Sequence, residues 1–262
     1  MEELIRFDGA ELEYFSFGSG KRTFVILPGL ATRSILFSRM VISAAYKRFC
    51  GDFTVYVFDR RKNIPPKYSV RDMARDAADA MRCLGLKNAD IFGASLGGMT
   101  AQYIAIDSPE LVRSLVLGST AARVNPRLLE VSEKWASAAD SGNLDALTDS
   151  FLGLLYSDAT IEKYGDLLAR MNDGLTAEEL RRFSVQARAI TDFDAYSELD
   201  KIQCPTLVLG VEGDKVVTAE ASREIAGKLG CELYLYPSDY GHCVFDEAHD
   251  YKDRILNFLY KH

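Results

Sequence analysis

Ala89-Asp90-Ile91-Phe92-Gly93-Ala94-Ser95-Leu96-Gly97-Gly98-Met99 is the stretch that decides the fold. A short apolar strand at Ile91 and Phe92 runs into Gly-x-Ser-x-Gly, and a helical apolar pattern follows at Met99, Ala101 and Ile104. By itself the five-residue run is an ordinary glycine-rich turn. With a strand before it and a helix after it, the run reads as a sharp turn that pushes a serine hydroxyl into a site from a strained backbone. The positions two before and two after that serine must be small, because strand and helix crowd there, and Gly93 and Gly97 meet the demand. The helix that starts after Ser95 aims its free amides and positive dipole end at the place where an oxyanion would form.

Working outward from this turn, the chain alternates strands and helices. Leu4 to Phe7 and Leu12 to Phe17 alternate around Asp8-Gly9, the pattern of an antiparallel hairpin at a sheet edge. Gly18-Ser19-Gly20-Lys21 is a turn rather than a phosphate loop, since Phe15 and Arg22 stand where that motif needs Gly and Ser or Thr. Phe24 to Leu27 and Phe53 to Phe58 are continuous apolar runs, expected of strands buried on both faces. The first leads into Pro28-Gly29-Leu30-Ala31-Thr32 and a helical pattern at Ile35, Leu36, Met40, Val41 and Ala44. The second leads into Arg60-Arg61-Lys62, a basic run that is either solvated or, being at the carboxyl edge of the sheet, able to meet a substrate carboxylate. Val70 to Leu84 places its apolar residues on one helical face and stops at Gly85. Val112 to Leu117, Thr206 to Leu209 and Glu232 to Tyr236 are the remaining strand runs, with helices around Ala221–Leu229 and Ile255–Leu259. Strands alternating with helices predict a mostly parallel twisted sheet of about eight strands, flanked by helices.

Between Val124 and Asp200 the strand runs vanish and helical spacing takes over, with starts at Asn125-Pro126 and Thr176-x-x-Glu179. Residues 124–200 are read as a helical cap inserted in a core made of residues 1–123 and 201–262. Its Trp135, Tyr156 and Tyr164 either shape an apolar pocket or pack in the interior. At 262 residues and 48% hydrophobic, the chain suits one large α/β domain with an insertion. Lys and Arg number 31 against 38 Asp and Glu, a net charge of −7 that argues against nucleic acid or an anionic membrane surface as partner. The acidic, alternating start at Met1-Glu2-Glu3-Leu4 does not resemble a signal peptide, and no apolar run reaches membrane-spanning length. Five scattered cysteines without C-x-x-C spacing suggest reduced thiols in a cytoplasmic protein. Neither a metal nor a cofactor is called for, a small molecule is the expected partner, and the oligomeric state is left open.

A serine hydroxyl needs a base, and the base needs a third group to orient it. The chain has only three histidines. His262 is terminal and expected to fray, and His249 lies among charged residues in what reads as the last helix. His242 follows the Glu232–Tyr236 strand in Ser238-Asp239-Tyr240-Gly241-His242, on the same sheet edge as Ser95. The acid belongs on another loop at that edge. Asp214, in Gly210-Val211-Glu212-Gly213-Asp214, is the first choice, with Glu212 and Asp239 as competitors. Two amides should hold the oxyanion, that of Leu96 after the nucleophile and that of Leu30 in the loop after Leu27.

With Ser95, Asp214 and His242 in that order, the chain resembles the α/β-hydrolase superfamily over essentially its whole length. The likeness is greatest to its small capped esterase, lactonase and C–C hydrolase branch. Gly93-Ala94-Ser95-Leu96-Gly97 matches the nucleophile elbow, Gly210-x-x-x-Asp214 the acid loop and Gly241-His242 the histidine loop. Pro28 departs from the family's usual histidine before Gly29 and leaves the support of the oxyanion loop open. The resemblance implies a serine hydrolase of small carboxylic esters or lactones working through an acyl-enzyme on Ser95. A C–C hydrolase of diketones would use the same triad, and a ligand sensor that keeps the triad and signals through the cap is the non-enzymatic alternative.

Overall fold

Of the apolar runs, that from Phe24 to Leu27 is buried on both faces as expected, whereas Thr54 and Tyr56 leave the first half of the run from Phe53 to Phe58 half-buried on one face. The computed structural model describes residues 2–262, with side chains from Leu4 onward, so the expectation about a leader that begins at Met1 lies partly outside the described residues. The strands are β1 (Glu2–Phe7), β2 (Ala10–Gly18), β3 (Arg22–Leu27), β4 (Phe53–Arg61), β5 (Ala89–Ala94), β6 (Val112–Gly118), β7 (Thr206–Val211) and β8 (Glu232–Tyr236). They form one eight-stranded sheet in the order β1-β2-β4-β3-β5-β6-β7-β8. β1 and β2 make the antiparallel hairpin expected around Asp8-Gly9, and β2 also pairs antiparallel with β4. From β4 through β3 to β8 every pairing is parallel.

The helices are α1 (Arg39–Ala45), α2 (Val70–Cys83), α3 (Leu96–Asp107), α4 (Pro126–Asp140), α5 (Leu144–Leu155), α6 (Asp158–Ala169), α7 (Ala177–Thr191), α8 (Ala219–Leu229), α9 (Val244–Glu247) and α10 (Tyr251–Lys261). α2, α3 and α8 cover one face of the sheet, where Met73, Met99 and Ile225 meet Ile91 and Val208. The other face packs Phe24, Phe92 and Val116 against Tyr251, Ile255 and Phe258 of α10. The neighbours Ile91 and Phe92 thus serve opposite faces, as period-two geometry requires, and all six residues of β5 are buried.

Local chemistry sets the helix ends. Ser69 and Asp72 form a capping box on α2, Thr176 and Glu179 form another on α7, and Asn125 caps α4 with Pro126 in its first turn. Gly85, at φ +68°, ends α2 in the left-handed region that favours glycine.

α4 to α7 lie between β6 and β7, as the change of sequence texture predicts. The two ends of this segment are tied together, with Val124 N donating to Phe193 O (2.9 Å) and Ala195 N to Ala122 O (2.8 Å). The helical pattern after the β3 loop forms as a 3₁₀ turn followed by α1, in which Ile35 is buried while Met40 (79%) and Val41 (73%) stand exposed beside Phe37. One expectation fails. His249 precedes α10 rather than sitting in it. The His262 ring packs on Phe258 and its carbonyl accepts from Arg113.

Candidate active site

The carboxyl ends of β3, β5, β7 and β8 place four loops around one rim. Ser95 stands at φ +50°, ψ −119°, a conformation that costs an L-residue energy, and the elbow is held there from several sides. Its N–H donates to Gly118 O (2.8 Å) and its carbonyl accepts from Thr120 Oγ1 (2.7 Å). A Cβ on Gly93 would fall 2.4 Å from Gly97 O, and one on Gly97 would fall 2.0 Å from Leu27 O. Both are closer than any real Cβ contact, which is why the elbow needs glycine on both sides.

His242 Nε2 lies 3.0 Å from Ser95 Oγ. Nδ1 of the same ring lies 2.8 Å from Asp214 Oδ2 and 3.0 Å from Oδ1. A carboxylate only accepts, so Nδ1 carries the proton and Nε2 is left to accept from the serine. Asp214 Oδ1 also accepts from the amides of Val216 (2.8 Å) and Val217 (3.0 Å). Burial alone would raise the Asp214 pKa, but the imidazole and these two amides outweigh it and hold the carboxyl below its usual range. The competing acids are elsewhere. Glu212 pairs with Arg223, and Asp239 is exposed without a hydrogen bond to the imidazole.

Gly29 backs onto Ser95, so close that a Cβ there would be 3.3 Å from Ser95 Cβ. Among the described residues neither the Leu30 nor the Leu96 amide donates to a protein acceptor. The loop that carries Leu30 is braced from β4. Arg60 is buried and donates from Nη1 to Pro28 O (2.8 Å), while Asp59 Oδ2 accepts from Ile35 N (3.0 Å) and Oδ1 from Arg60 N (2.7 Å). Burial lowers the Arg60 pKa, opposed by the neighbouring Asp59. This brace does the work left open by Pro28, and it overturns the substrate-carboxylate reading of the basic run. Arg61 is taken by Asp76 and Lys62 by Glu13, so no member of that run is free for a ligand.

A cavity of about 210 Å³ opens over Ser95 and His242. Trp135, Phe151, Leu155 and Tyr156 line it from the helical segment, and Leu30 and Phe37 from the β3 loop and the 3₁₀ turn after it. Tyr164 does not line it and stands exposed on α6. The segment is fastened to both margins of the cavity. On one side Thr32 Oγ1 donates to Asn172 Oδ1 (2.8 Å), and Arg33 donates to the carbonyls of Met171 and Asp173 and to Glu179. On the other, Cys243 N donates to Leu155 O (2.8 Å), and Ser157 N and Gly241 N both donate to Glu247. Sequence reasoning missed Arg60, Thr32, Arg33 and Glu247 because each acts on a residue far away in the chain. Polar residues at strand ends and loop tips are the only signal they leave.

Among the described residues no group of His, Cys, Asp and Glu has metal-binding geometry, and no helix is long and apolar enough to cross a membrane. A family model described as alpha/beta hydrolase fold matches residues 22–249. Serine hydrolase BPHL of Mus musculus is 27% identical over 96% of this chain and 84% of its own length. RutD of Caulobacter sp. (strain K31), for which its name proposes carbamate hydrolysis, is 25% identical over 79% of this chain and 81% of its own. The enol-lactonase from Burkholderia xenovorans LB400 superposes with a TM-score of 0.85, covering 98% of this chain and 99% of that one at 23% identity, a likeness of fold.

Proposed function

The chain belongs to the α/β-hydrolase fold family and is a hydrolase, and from that premise we propose that it cleaves small carboxylic esters or lactones through an acyl-enzyme on Ser95. The observation that carries the reading is the convergence of Ser95, His242 and Asp214, each within 3.0 Å of its neighbour and brought together from three separate loops.

In the first half-reaction His242 Nε2 takes the hydroxyl proton as Ser95 Oγ attacks the carbonyl carbon. The carbonyl π electrons move onto oxygen, and the Leu30 and Leu96 amides, with the N-terminal end of α3 behind them, hold that charge. Collapse expels the alkoxide, which takes the proton back from His242 and leaves as the alcohol. For a lactone the alcohol stays tethered to the acyl group. Water then adds in the same way, and the acid departs. Throughout, Asp214 keeps Nδ1 protonated and offsets the charge of the imidazolium. Residues 124–200 act as a roof that limits the acyl group to what the cavity holds. Five free cysteines support action in a reducing compartment such as the cytoplasm.

Purified protein should turn over 4-nitrophenyl acetate and butyrate many times per molecule, together with small lactones in a size-graded screen. A fluorophosphonate should add one adduct, on Ser95. Ser95→Ala should lose about 10⁴ or more in kcat and the adduct with it. Full activity in that variant would end the reading.

A further inference from the structure

Besides His242, the charged side chains that line the cavity over Ser95 are Arg33 and Asp246, set among apolar residues and the neutral polar Thr32, Ser34, Ser38 and Asn172. Arg33 is fully engaged by Met171, Asp173 and Glu179. Asp246 is not. Its carboxylate accepts no hydrogen bond and lies in no ion pair within 4.0 Å among the described residues, although it lines the cavity and is open to solvent there.

Asp246 sits in α9, four residues beyond His242, where Val244 is buried in the core. The groups around it leave its charge standing. Lys252 is the nearest cation, but its ammonium donates to the Phe245 carbonyl and lies 5.8 Å from the Tyr46 ring centre. Glu247, the nearest like charge, is spent on Ser157 and Gly241. Tyr46, Tyr156, Tyr251 and Cys243 also face the carboxyl, and burial pushes all four pKa values up, so they stay neutral. One unpaired negative charge therefore borders the cavity that also contains Ser95. An exposed carboxylate that lines the cavity without a protein cation of its own is the group a cation arriving with the ligand would meet there.

We propose that Asp246 is a specificity residue that selects substrates bearing an ammonium group, so that the enzyme prefers amino-substituted aliphatic esters to their neutral isosteres. The proposal rests on the serine-hydrolase reading for the reaction itself. It adds which acyl groups the cavity admits best.

The test pairs isosteres. Ethyl esters of β-alanine, 4-aminobutyrate and 6-aminohexanoate are compared with ethyl butanoate, pentanoate and heptanoate by acid release in a pH-stat. For at least one chain length, kcat/KM should favour the ammonium ester by about tenfold or more at pH 7.5. Within Asp246→Asn the same ratio should fall to about two or less, and Asp246→Glu should keep a preference at a shorter chain length. Desolvation by the surrounding side chains, with the charge of Glu247 adding to it and that of Lys252 opposing, holds the Asp246 pKa up at about 6. The wild-type ratio should therefore also fall as the pH drops from about 7.5 to 5, while the substrate amines stay charged.

A ratio near one at every chain length, or one that Asp246→Asn leaves unchanged, overturns the proposal. Neutral-ester turnover that vanishes in Ser95→Ala would still stand in that case, so the two readings fail separately. If neither ester of any pair is cleaved, both fall.

Discussion

Asp214→Asn is the substitution whose consequence the geometry dictates most closely. Asp214 Oδ1 accepts from the Val216 and Val217 amides, and an asparagine must keep its carbonyl oxygen there or leave two buried donors unpaired. Its NH2 group is then forced into the Oδ2 position, 2.8 Å from His242 Nδ1, and can only donate. Nδ1 becomes the acceptor, the ring proton moves to Nε2, and Nε2 now presents a hydrogen to Ser95 Oγ instead of a lone pair. On the proposed mechanism Ser95 then loses its base while the fold keeps its contacts. A wrong tautomer with intact geometry costs about 10⁴ in kcat, or ~5 kcal/mol of transition-state stabilisation. The assay is steady-state hydrolysis of 4-nitrophenyl butyrate, with nitrogen NMR of labelled histidine to read which ring nitrogen carries the proton. Activity within about tenfold of the wild type would refute the reasoning, as would an unchanged tautomer.

Four further outcomes follow from other parts of the structure. Arg60→Met removes the donor to Pro28 O and takes the neighbouring cation from buried Asp59, which keeps its two backbone donors, so stability in urea should fall by about 1–3 kcal/mol. Its kcat should fall by about 10² as the Leu30 amide drifts, and Arg60→Lys should recover part of the stability. Gly97→Ala puts a methyl group 2.0 Å from Leu27 O, and soluble, active protein from this variant would contradict the elbow geometry. The Asp214 carboxyl is held below its unfolded pKa, so its stabilisation is complete above about pH 3.9 and fades as pH falls through the lower folded value. Urea midpoints between about pH 6 and 3 should accordingly decline less steeply in Asp214→Asn. Asp246 shows the opposite sign. Its folded pKa of about 6 exceeds the unfolded value, so it costs stability once ionised and nothing at low pH. Asp246→Asn should melt higher than the wild type at pH 7.5, and calorimetry should find the gap closed by about pH 4.

The order and type of the core elements were legible because burial on both faces leaves a plain trace. Strands such as β5 and β7, every residue of them buried, have no room for alternation and so read as unbroken apolar runs. The elbow was legible for a related reason, since two backbone segments meeting at Gly93 and Gly97 exclude any side chain. His242 could be singled out because two other histidines were easy to set aside, even though His249 precedes the last helix rather than sitting in it. α1 shows where pattern reading stops. Its spacing suggests a face to be covered, yet Met40 and Val41 are exposed, because spacing records which residues share a side and not whether anything packs on it.

What stayed hidden has a common cause. Arg60 bracing Pro28, Arg33 holding Met171 and Asp173, and Glu247 tying down Ser157 and Gly241 all join segments whose proximity exists only after the sheet has formed. Each is a polar side chain of a kind that elsewhere is merely solvated, so composition cannot single it out. The sequence therefore displays the parts of the proposed machinery that are constrained locally, by a turn or a strand. The parts constrained by tertiary closure, the support of the oxyanion loop and the fastening of the helical segment over the cavity, leave no comparable trace. Asp246 is in the second group. Only the folded cavity distinguishes it from Asp250, four residues on, whose carboxylate is taken up by Arg254 and Tyr236.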